Sequence, residues 1–312
     1  MDMNKDELMD QIRDLRKEYG DWSYDIPLPF GIWTKGDLKI PHTRLKRIVQ
    51  VVSDLAGKPL SHCRVLDLGC LDGQFSIEFA QQGAQTTGIE IREANLRKAI
   101  FCKEVLNLNN LEFSQDDALN ISVQKYGRFD AIICSGLLYH LTAADAIGLI
   151  TKMYEMSDKM VIIDTHIALK AAKWIVDEKE EYSGVTYTEH SASHDQGKKA
   201  TLLWASWDNT ESFWFTRPSL VNILSKAGFS SIYECFTPVH LNYGKPGMEC
   251  YDRCTFVAIR GEKLNMVTSP AANNLEENWP EKSLSYNRGA FRSTRLKLQL
   301  KKNARNIKRR FK

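Results

Sequence analysis

Two histidines and an aspartate are the side chains of this sequence best suited to moving a proton. His140 and His166 each follow a short β-branched run, and Asp164 stands two positions before His166. Imidazole titrates near neutral pH, so a histidine can take a proton from a hydroxyl group while a carboxylate orients its ring. We therefore predict that His140, His166 and Asp164 form the catalytic group. The alternatives are a divalent metal ion bound by the three residues, or a purely structural role in turns and caps.

A glycine-rich turn lies upstream of these residues, in the segment Arg64-Val-Leu-Asp-Leu-Gly-Cys-Leu-Asp-Gly-Gln-Phe-Ser76. A strand that ends in a tight glycine turn and opens a helix is a nucleotide-binding device. Gly69 and Gly73 let backbone amides approach the ligand, and the helix N-terminus favours negative groups. The dinucleotide pattern of three glycines is not met, because Leu71 occupies the second glycine position.

The pattern that remains, Asp67-x-Gly69-x-x-x-Gly73, resembles motif I of the class I S-adenosylmethionine-dependent methyltransferases. That family usually has one more glycine where Leu71 stands. Glu90 ends a second apolar run 21 residues after Gly69, and an acidic residue at about this distance holds ribose hydroxyls in nucleotide-binding sheets. The resemblance implies S-adenosyl-L-methionine as the cofactor.

Two later segments are similar to further motifs of the same family. Asp116-Asp117-Ala118 resembles the segment whose aspartate contacts the adenine amino group, and we assign that contact to Asp117. The run from Phe129 to Leu141 resembles motif IV, which passes the methionine part of the cofactor. The resemblance therefore assigns cofactor binding to Asp67, Gly69, Cys70, Gly73, Glu90, Ile91, Asp117, Ala118 and Ser135.

Aromatic and basic residues are the candidates for contacts with the acceptor and with anionic groups. Tyr139 is a candidate substrate contact, since an unperturbed phenol pKa of about 10 is too high for a base. Trp33 and Trp214 are further substrate candidates, because an aromatic face suits both a sulfonium and the apolar face of a sugar. Trp207, Phe213 and Phe215 are candidates for lining the same pocket, and core packing is the alternative for most of these aromatic residues. Candidates for holding anionic groups, among them the cofactor carboxylate, are Thr34, Lys35 and Arg44.

A narrower branch of the family is indicated by Leu138-Tyr139-His140, by Ser212 to Leu220 and by Ala227-Gly228-Phe229. These segments resemble the branch that includes the carboxymethyltransferase of the tRNA wobble uridine. We expect O-methylation of a polar small molecule or a sugar, with a small-molecule or glycan acceptor as partner. The alternatives are modification of a tRNA wobble base, S- or N-methylation of a small metabolite, and a non-catalytic cofactor-binding protein.

The elements that must position these residues follow an alternating order. Short β-branched runs alternate with helical patterns, which predicts an α/β fold with a doubly wound, mostly parallel seven-stranded sheet, like the Rossmann-like methyltransferases. The last two strands follow one another without a helix, so we expect one of them to be an antiparallel edge strand. The predicted strands are Arg64–Leu68, Thr86–Glu90, Leu111–Ser114, Ala131–Cys134, Met160–Asp164, Ser231–Phe236 and Thr255–Ile259.

Three regions are expected along the chain. Residues 1–60 form an N-terminal helix and an aromatic cap, and residues 61–261 form the methyltransferase domain. An aromatic insertion at about 167–215 breaks the alternation and is expected to cover the substrate site. Residues 262–312 are read as a linker followed by a basic amphipathic helix.

The charge is divided unevenly along the chain. The net charge is +3, but residues 283–312 hold eleven basic residues and no acidic one, which leaves 31 basic against 39 acidic residues before them. The basic tail therefore suits an anionic membrane, a polyanion or the acidic body itself, whereas the acidic body disfavours nucleic acid as substrate. We expect a cytoplasmic protein with free thiols, its tail a candidate for peripheral membrane contact, and leave self-association open.

Overall fold

The computed structural model describes residues 3–36, 43–177, 180–235 and 252–261. Within these ranges the helices are α1 (Lys5–Tyr19), α2 (Thr43–Ala56), α3 (Gln74–Gln81), α4 (Glu93–Val105), α5 (Val123–Tyr126), α6 (Ala143–Met156), α7 (Gln196–Thr201) and α8 (Arg217–Ala227). The strands are β1 (Arg64–Leu68), β2 (Gln85–Glu90), β3 (Leu111–Gln115), β4 (Phe129–Ser135), β5 (Ser157–His166), β6 (Lys173–Asp177), β7 (Glu180–Thr188), β8 (Glu211–Phe215), β9 (Ser231–Cys235) and β10 (Arg253–Ile259). The linker and basic tail predicted over 262–312 lie outside the described residues.

One mixed sheet organises the domain, with its seven described strands in the order β3-β2-β1-β4-β5-β10-β9. Strands β1 to β5 pair in parallel, and β10 is antiparallel to both β5 and β9. The predicted doubly wound, mostly parallel sheet is confirmed. The order of the strands reverses between β1 and β4, and ligands of such sheets bind beyond the carboxyl ends of the strands at that point.

The prediction that the antiparallel strand lies at the edge of the sheet is wrong. The antiparallel strand is β10, which lies between β5 and β9, and β9 takes the edge. Residues Cys254 to Ala258 of β10 are all buried, as a strand covered on both faces requires.

The core lies on both faces of the sheet. On one face Leu66 and Ile132 pack with Leu149 of α6 and Leu224 of α8. On the other face strand residues, among them Val65, pack against α2 and α3. Apolar runs such as the four residues from Met160 to Ile163 are buried throughout, which explains why the parallel strands show no alternation of apolar and polar residues.

The N-terminal cap packs against the domain. Trp22 is 2% exposed and lies with Leu8 and Ile12 of α1 against Phe101 of α4. The cap is fixed by Thr34, whose hydroxyl accepts from the Ile26 amide at 2.9 Å and donates to the Tyr24 carbonyl at 2.9 Å. Thr34 is fully buried in these contacts, so the expectation that it holds an anionic ligand is wrong.

The insertion contains regular structure that the sequence did not indicate. Strands β6, β7 and β8 form a separate antiparallel sheet, and α7 follows β7. Tyr182, Phe213 and Phe215 of this sheet enter the main core, while Trp174 and Trp204 remain more than half exposed. The insertion is therefore anchored to the domain rather than suspended above it. No helix in the described ranges combines the length and apolar character needed to cross a bilayer.

Candidate active site

A cavity of about 320 Å³ lies at the carboxyl ends of β1, β2 and β4. Its wall is built from the turn after β1, the ends of β2 and β4, the segment after β3, and one stretch of the insertion. Predicted residues that line it are Gly69, Glu90, Ile91, Asp117, Ala118, Ser135, Tyr139 and His140. The expected binding edge of the sheet therefore carries most of the predicted cofactor contacts.

The glycine turn after β1 takes left-handed backbone conformations. Gly69 has φ +64° and Gly73 φ +86°, and a Cβ atom on Gly73 would lie 2.8 Å from the Phe113 ring. Leu71 has φ +51° at the position where the family usually has glycine. A left-handed conformation costs a residue with a Cβ about 1–2 kcal/mol, so this departure from the motif is accommodated by strain rather than by another turn.

Glu90 joins two loops at the centre of the site. Its carboxylate accepts hydrogen bonds from the backbone amides of Leu71 at 2.9 Å and Arg92 at 2.8 Å. Burial raises the pKa of Glu90, and the backbone hydrogen bond from Arg92 and the Arg92 charge oppose that rise. A carboxylate has about four acceptor positions, so this one retains capacity for ribose hydroxyl groups.

Three predicted cofactor residues, Asp67, Cys70 and Gly73, do not line the cavity. Asp67 is 1% exposed, and its carboxylate accepts from the Ser76 amide at 3.0 Å and the Ser76 hydroxyl at 2.6 Å. Burial raises its pKa to about 7 despite these bonds. Asp67 therefore ties β1 to α3 and shapes the glycine turn from behind.

The two aspartates of the segment after β3 differ in their hydrogen-bond partners. The Asp116 carboxylate is held by Lys125 at 2.6 Å and by the Tyr126 hydroxyl at 2.5 Å. Asp117 uses one oxygen to accept from the Leu119 amide at 2.8 Å. Both residues line the cavity. The remaining acceptor capacity favours Asp117 for the adenine contact.

Asp164 does not orient a histidine, contrary to its predicted role. Its Oδ1 accepts from Arg253 Nε at 2.6 Å and lies 3.4 Å from Arg44 Nη1, and its Oδ2 accepts from the Thr255 hydroxyl at 2.5 Å. Burial alone would raise the pKa of Asp164, but Arg253 and Arg44 hold it below its ordinary value. The register explains this arrangement, because Thr255 of β10 lies directly opposite Asp164 of β5.

Arg44 and Arg253 reach the cavity from this buried cluster, beside Tyr24 and Ser135. Arg44 Nη2 donates to the Tyr24 hydroxyl at 3.1 Å. The Ser135 hydroxyl is buried without a hydrogen-bond partner in the described chain. Two guanidinium groups share the single carboxylate of Asp164, and the positive charge that remains suits the carboxylate of a bound amino acid. Of the predicted anion contacts only Arg44 is at this cavity, since Lys35 lines a separate one.

His140 has a carboxylate partner that the sequence did not suggest. Its Nδ1 lies 3.0 Å and 3.1 Å from the two oxygens of Glu189, whose side chain is 1% exposed. No described residue pairs with Nε2. An Nδ1–H bound to a carboxylate leaves the Nε2 lone pair available, which is the arrangement of a general base.

His166 lies behind Tyr139 and does not line the cavity. It is the last residue of β5, stacked on Trp214 at 4.8 Å and edge-on to Tyr139 at 4.7 Å. Its Nδ1 is 3.3 Å from Asp252 Oδ2, outside hydrogen-bond geometry. The two predicted substrate tryptophans, Trp214 and Trp33, also fall outside the cavity wall, and Trp214 Nε1 donates to the Tyr139 carbonyl at 3.0 Å.

The metal alternative is not supported by this arrangement, because arginines and Thr255 occupy the Asp164 carboxylate. In the part of the chain that the structure describes, no three His, Cys, Asp or Glu side chains form a group that could hold a metal ion.

Part of the insertion covers the cavity, as expected, and the residue that holds it there was not predicted. The Arg92 guanidinium donates to the Ala205 carbonyl at 2.9 Å and to three more carbonyls at 3.3 Å, those of Ala200, Leu202 and Ser206. Its guanidinium carbon lies 5.4 Å from the centre of the Trp207 ring. Residues 203–208, which line the cavity and are here named the covering segment, are thus attached to the loop after β2.

The unpredicted residues of the site are Tyr24, Arg92, Glu189, Arg253 and the covering segment apart from Trp207. Of these, Arg92 carried a sequence signal, its position two residues after the predicted ribose contact Glu90, and the covering segment lies within the insertion that was expected to cover the site. The others belong to segments without a recognisable motif, and they meet the cavity only through the tertiary fold.

Comparison with known proteins supports the same assignment. Residues 59–211 match the model of a family described as a methyltransferase domain. Over 98 residues the chain is 30% identical to the ubiquinone biosynthesis O-methyltransferase of Acinetobacter baumannii (strain AYE). The match covers 31% of this chain and 39% of that protein. YqeM of Bacillus subtilis (strain 168), whose name assigns it to the methyltransferases without a substrate, is 27% identical over 152 residues, 47% of this chain and 55% of that protein. The chain thus spans about half or less of the length of these curated relatives.

Solved structures show the same fold over more of the chain. The N-terminal domain of EvdMO1 with S-adenosylhomocysteine bound has a TM-score of 0.62 and 23% identity, covering 83% of this chain and 98% of that chain. The same domain in the presence of S-adenosylhomocysteine and D-fucose has a TM-score of 0.60 and 24% identity, with the same coverage. Residues 59–211 thus form a methyltransferase domain, its fold is that of the class I S-adenosylmethionine-dependent enzymes, and its cofactor is S-adenosyl-L-methionine.

Proposed function

We propose that this chain methylates a hydroxyl group of a polar small molecule or a sugar, with His140 as the general base. The observation that carries the proposal is the His140–Glu189 pair at the cavity wall. A buried carboxylate on Nδ1 fixes the imidazole ring, and Nε2 is left without a described partner. An amine or a thioether acceptor would not need such a base.

The residues divide the reaction between them. When bound, S-adenosyl-L-methionine supplies the methyl group, so that its sulfur–carbon bond breaks as an oxygen–carbon bond forms and S-adenosylhomocysteine is left. His140 Nε2 takes the proton of the acceptor hydroxyl, and Glu189 stabilises the imidazolium that results. Glu90 holds the ribose, Asp117 the adenine, and Arg44 with Arg253 the cofactor carboxylate.

The choice of acceptor class has two supports. The curated relatives that share about 30% identity are named as O-methyltransferases of ubiquinone biosynthesis, and the EvdMO1 domain was solved in the presence of D-fucose. The 31 basic and 39 acidic residues before the tail make a poor surface for a polyanion. We therefore rank modification of a tRNA wobble base below a small acceptor.

The proposal is tested in two stages. Calorimetry should show binding of S-adenosylhomocysteine to the full chain, and mass spectrometry should then find a methylated product among metabolites, glycans and tRNA. His140→Gln should bind S-adenosylhomocysteine as the unmodified protein does, and should transfer methyl groups about 10²- to 10⁴-fold more slowly. His62→Gln, at an exposed position before β1, is the matched control.

Two results would overturn parts of the proposal. If the unmodified protein does not bind S-adenosylhomocysteine, the whole proposed function is wrong. Full activity of His140→Gln removes the general base and favours an amine or thioether acceptor.

A further inference from the structure

Glu189 receives hydrogen bonds from three separate parts of the chain. It follows β7 and is buried. Oε1 accepts from the Ser212 hydroxyl at 2.7 Å, and Oε2 accepts from the Ser206 amide at 3.0 Å. Both oxygens lie within 3.1 Å of His140 Nδ1. One carboxylate therefore contacts the base, strand β8 and the covering segment.

The contact with Ser206 connects the cover of the cavity to the base. Ser206 belongs to the covering segment, and its carbonyl is held by Arg92 at 3.3 Å and by His190 Nε2 at 2.7 Å. His140, Ser206 and Arg92 all line the same cavity. A movement of the covering segment away from the cavity would remove one of the donors that fix the Glu189 carboxylate.

Glu189 keeps its charge in this environment. Burial would raise its pKa, but the hydrogen bonds from His140, the Ser212 hydroxyl and the Ser206 amide hold the pKa below its ordinary value. Arg92 is a further positive group that interacts with this carboxylate. A charged carboxylate facing Nδ1 keeps the proton on that nitrogen and the lone pair on Nε2.

We propose that Glu189 is a positioning residue that couples closure of the covering segment to the tautomer of His140. With the segment closed, the Ser206 amide and the Ser212 hydroxyl hold the carboxylate against Nδ1, and Nε2 is ready to accept a proton. With the segment open, the carboxylate loses a donor and gains water, so the tautomer is no longer fixed. The base is thereby set when the cofactor is covered. The meaning of this for catalysis rests on the proposed function of His140.

The turn that carries His140 does not depend on Glu189 for its backbone conformation. Asn209 Nδ2 donates to the His140 carbonyl at 2.7 Å, and the Phe213 amide donates to the Leu141 carbonyl at 2.9 Å. A change at Glu189 should therefore leave the turn in place. This makes Glu189→Gln a suitable test, since glutamine has the same shape and its amide group can donate to Nδ1 instead of accepting from it.

The test uses S-adenosylhomocysteine and needs no acceptor. Imidazole ¹⁵N chemical shifts report which ring nitrogen carries the proton, with the His140 signal assigned by its loss in His140→Gln. We expect Nδ1–H in the unmodified protein and Nε2–H in Glu189→Gln. Amide hydrogen exchange of residues 203–208 with S-adenosylhomocysteine bound should be about fivefold faster in Glu189→Gln, because the Ser206 amide then donates to a neutral amide oxygen instead of a charged carboxylate, a loss of about 1 kcal/mol.

Two variants separate the coupling from its alternatives. Glu211→Gln replaces an exposed glutamate of β8 and should change neither measurement. His140→Gln should leave exchange of residues 203–208 as in the unmodified protein, because the bond between Glu189 and the Ser206 amide remains. The coupling is overturned if Glu189→Gln changes only the tautomer, only the exchange, or neither. If both change but His140→Gln retains full methyl transfer, the coupling stands and the proposed base does not.

Discussion

Replacing Glu90 with glutamine tests whether this carboxylate holds the cofactor ribose. Glu90 is 2% exposed, and its two oxygens accept from the amides of Leu71 and Arg92 at 2.9 Å and 2.8 Å. About two of its four acceptor positions remain for ribose hydroxyl groups. Glutamine keeps the shape of the side chain but replaces one oxygen with a group that donates.

The structure separates two costs of this change. One backbone amide would face a donor and stay unpaired, which lowers the free energy of unfolding by about 1–3 kcal/mol. Loss of a hydrogen bond between a ribose hydroxyl and a charged group removes about 1.5–3 kcal/mol of binding free energy. At 1.4 kcal/mol per factor of ten, the Kd for S-adenosylhomocysteine should rise about 10- to 100-fold.

Titration calorimetry with S-adenosylhomocysteine measures the Kd, and urea unfolding measures the stability. Glu112→Gln is the control, since Glu112 is an exposed glutamate on the neighbouring strand β3. The reasoning is refuted if Glu90→Gln loses stability as expected but keeps a Kd within about threefold of the unmodified value. Glu90 would then only join the two loops.

Two further predictions concern residues near the cavity. Arg92→Lys keeps the charge but loses the planar guanidinium group that reaches four carbonyls, so amide exchange of residues 203–208 should be about tenfold faster or more. Exchange at the unmodified rate would show that other contacts hold the segment. The pKa of Asp67 is about 7 in the folded protein, above its ordinary value of 3.8. The protonated side chain therefore stabilises the folded protein at low pH, and this stabilisation is lost as the pH rises through about 7. Between pH 5 and pH 8 the free energy of unfolding of the unmodified protein should therefore fall by about 2–3 kcal/mol relative to Asp67→Asn, and a difference that is constant with pH in urea unfolding would contradict the assignment.

The sheet and the cofactor side of the site could be predicted because their signals are local. β1 and its glycine turn are adjacent in the sequence, and Glu90 follows them at a fixed distance set by the length of one helix and one strand. The fixed geometry of a strand, a turn and a helix limits the alternatives at such a site. Asp67 shows the limit of this reasoning, because an aspartate in the motif proved to bind Ser76 rather than the cavity.

The carboxylate partner of His140 could not be predicted because the two residues lie far apart in the sequence. The hydrogen bond between His140 and Glu189 joins residues 49 positions apart, and the bond between Arg253 and Asp164 joins residues 89 positions apart. Asp164 was the nearer carboxylate in sequence to His166, and proximity in sequence favoured it. The register of β10 against β5 decides otherwise, and an insertion read as irregular supplies Glu189 from the end of a strand.

The position of Arg253 at the start of β10 has a consequence for how the site is completed during synthesis. β10 is the last strand of the described chain and enters the sheet beside β5, whereas Tyr24 and Arg44 come from the N-terminal region. A chain emerging from the ribosome presents the glycine turn and Glu90 long before Arg253 is available. The glycine turn and Glu90 can thus be in place while the Arg253 guanidinium, proposed to meet the cofactor carboxylate, is still missing. If Arg253 binds the cofactor carboxylate as proposed, tight retention of the cofactor becomes a property of the finished sheet.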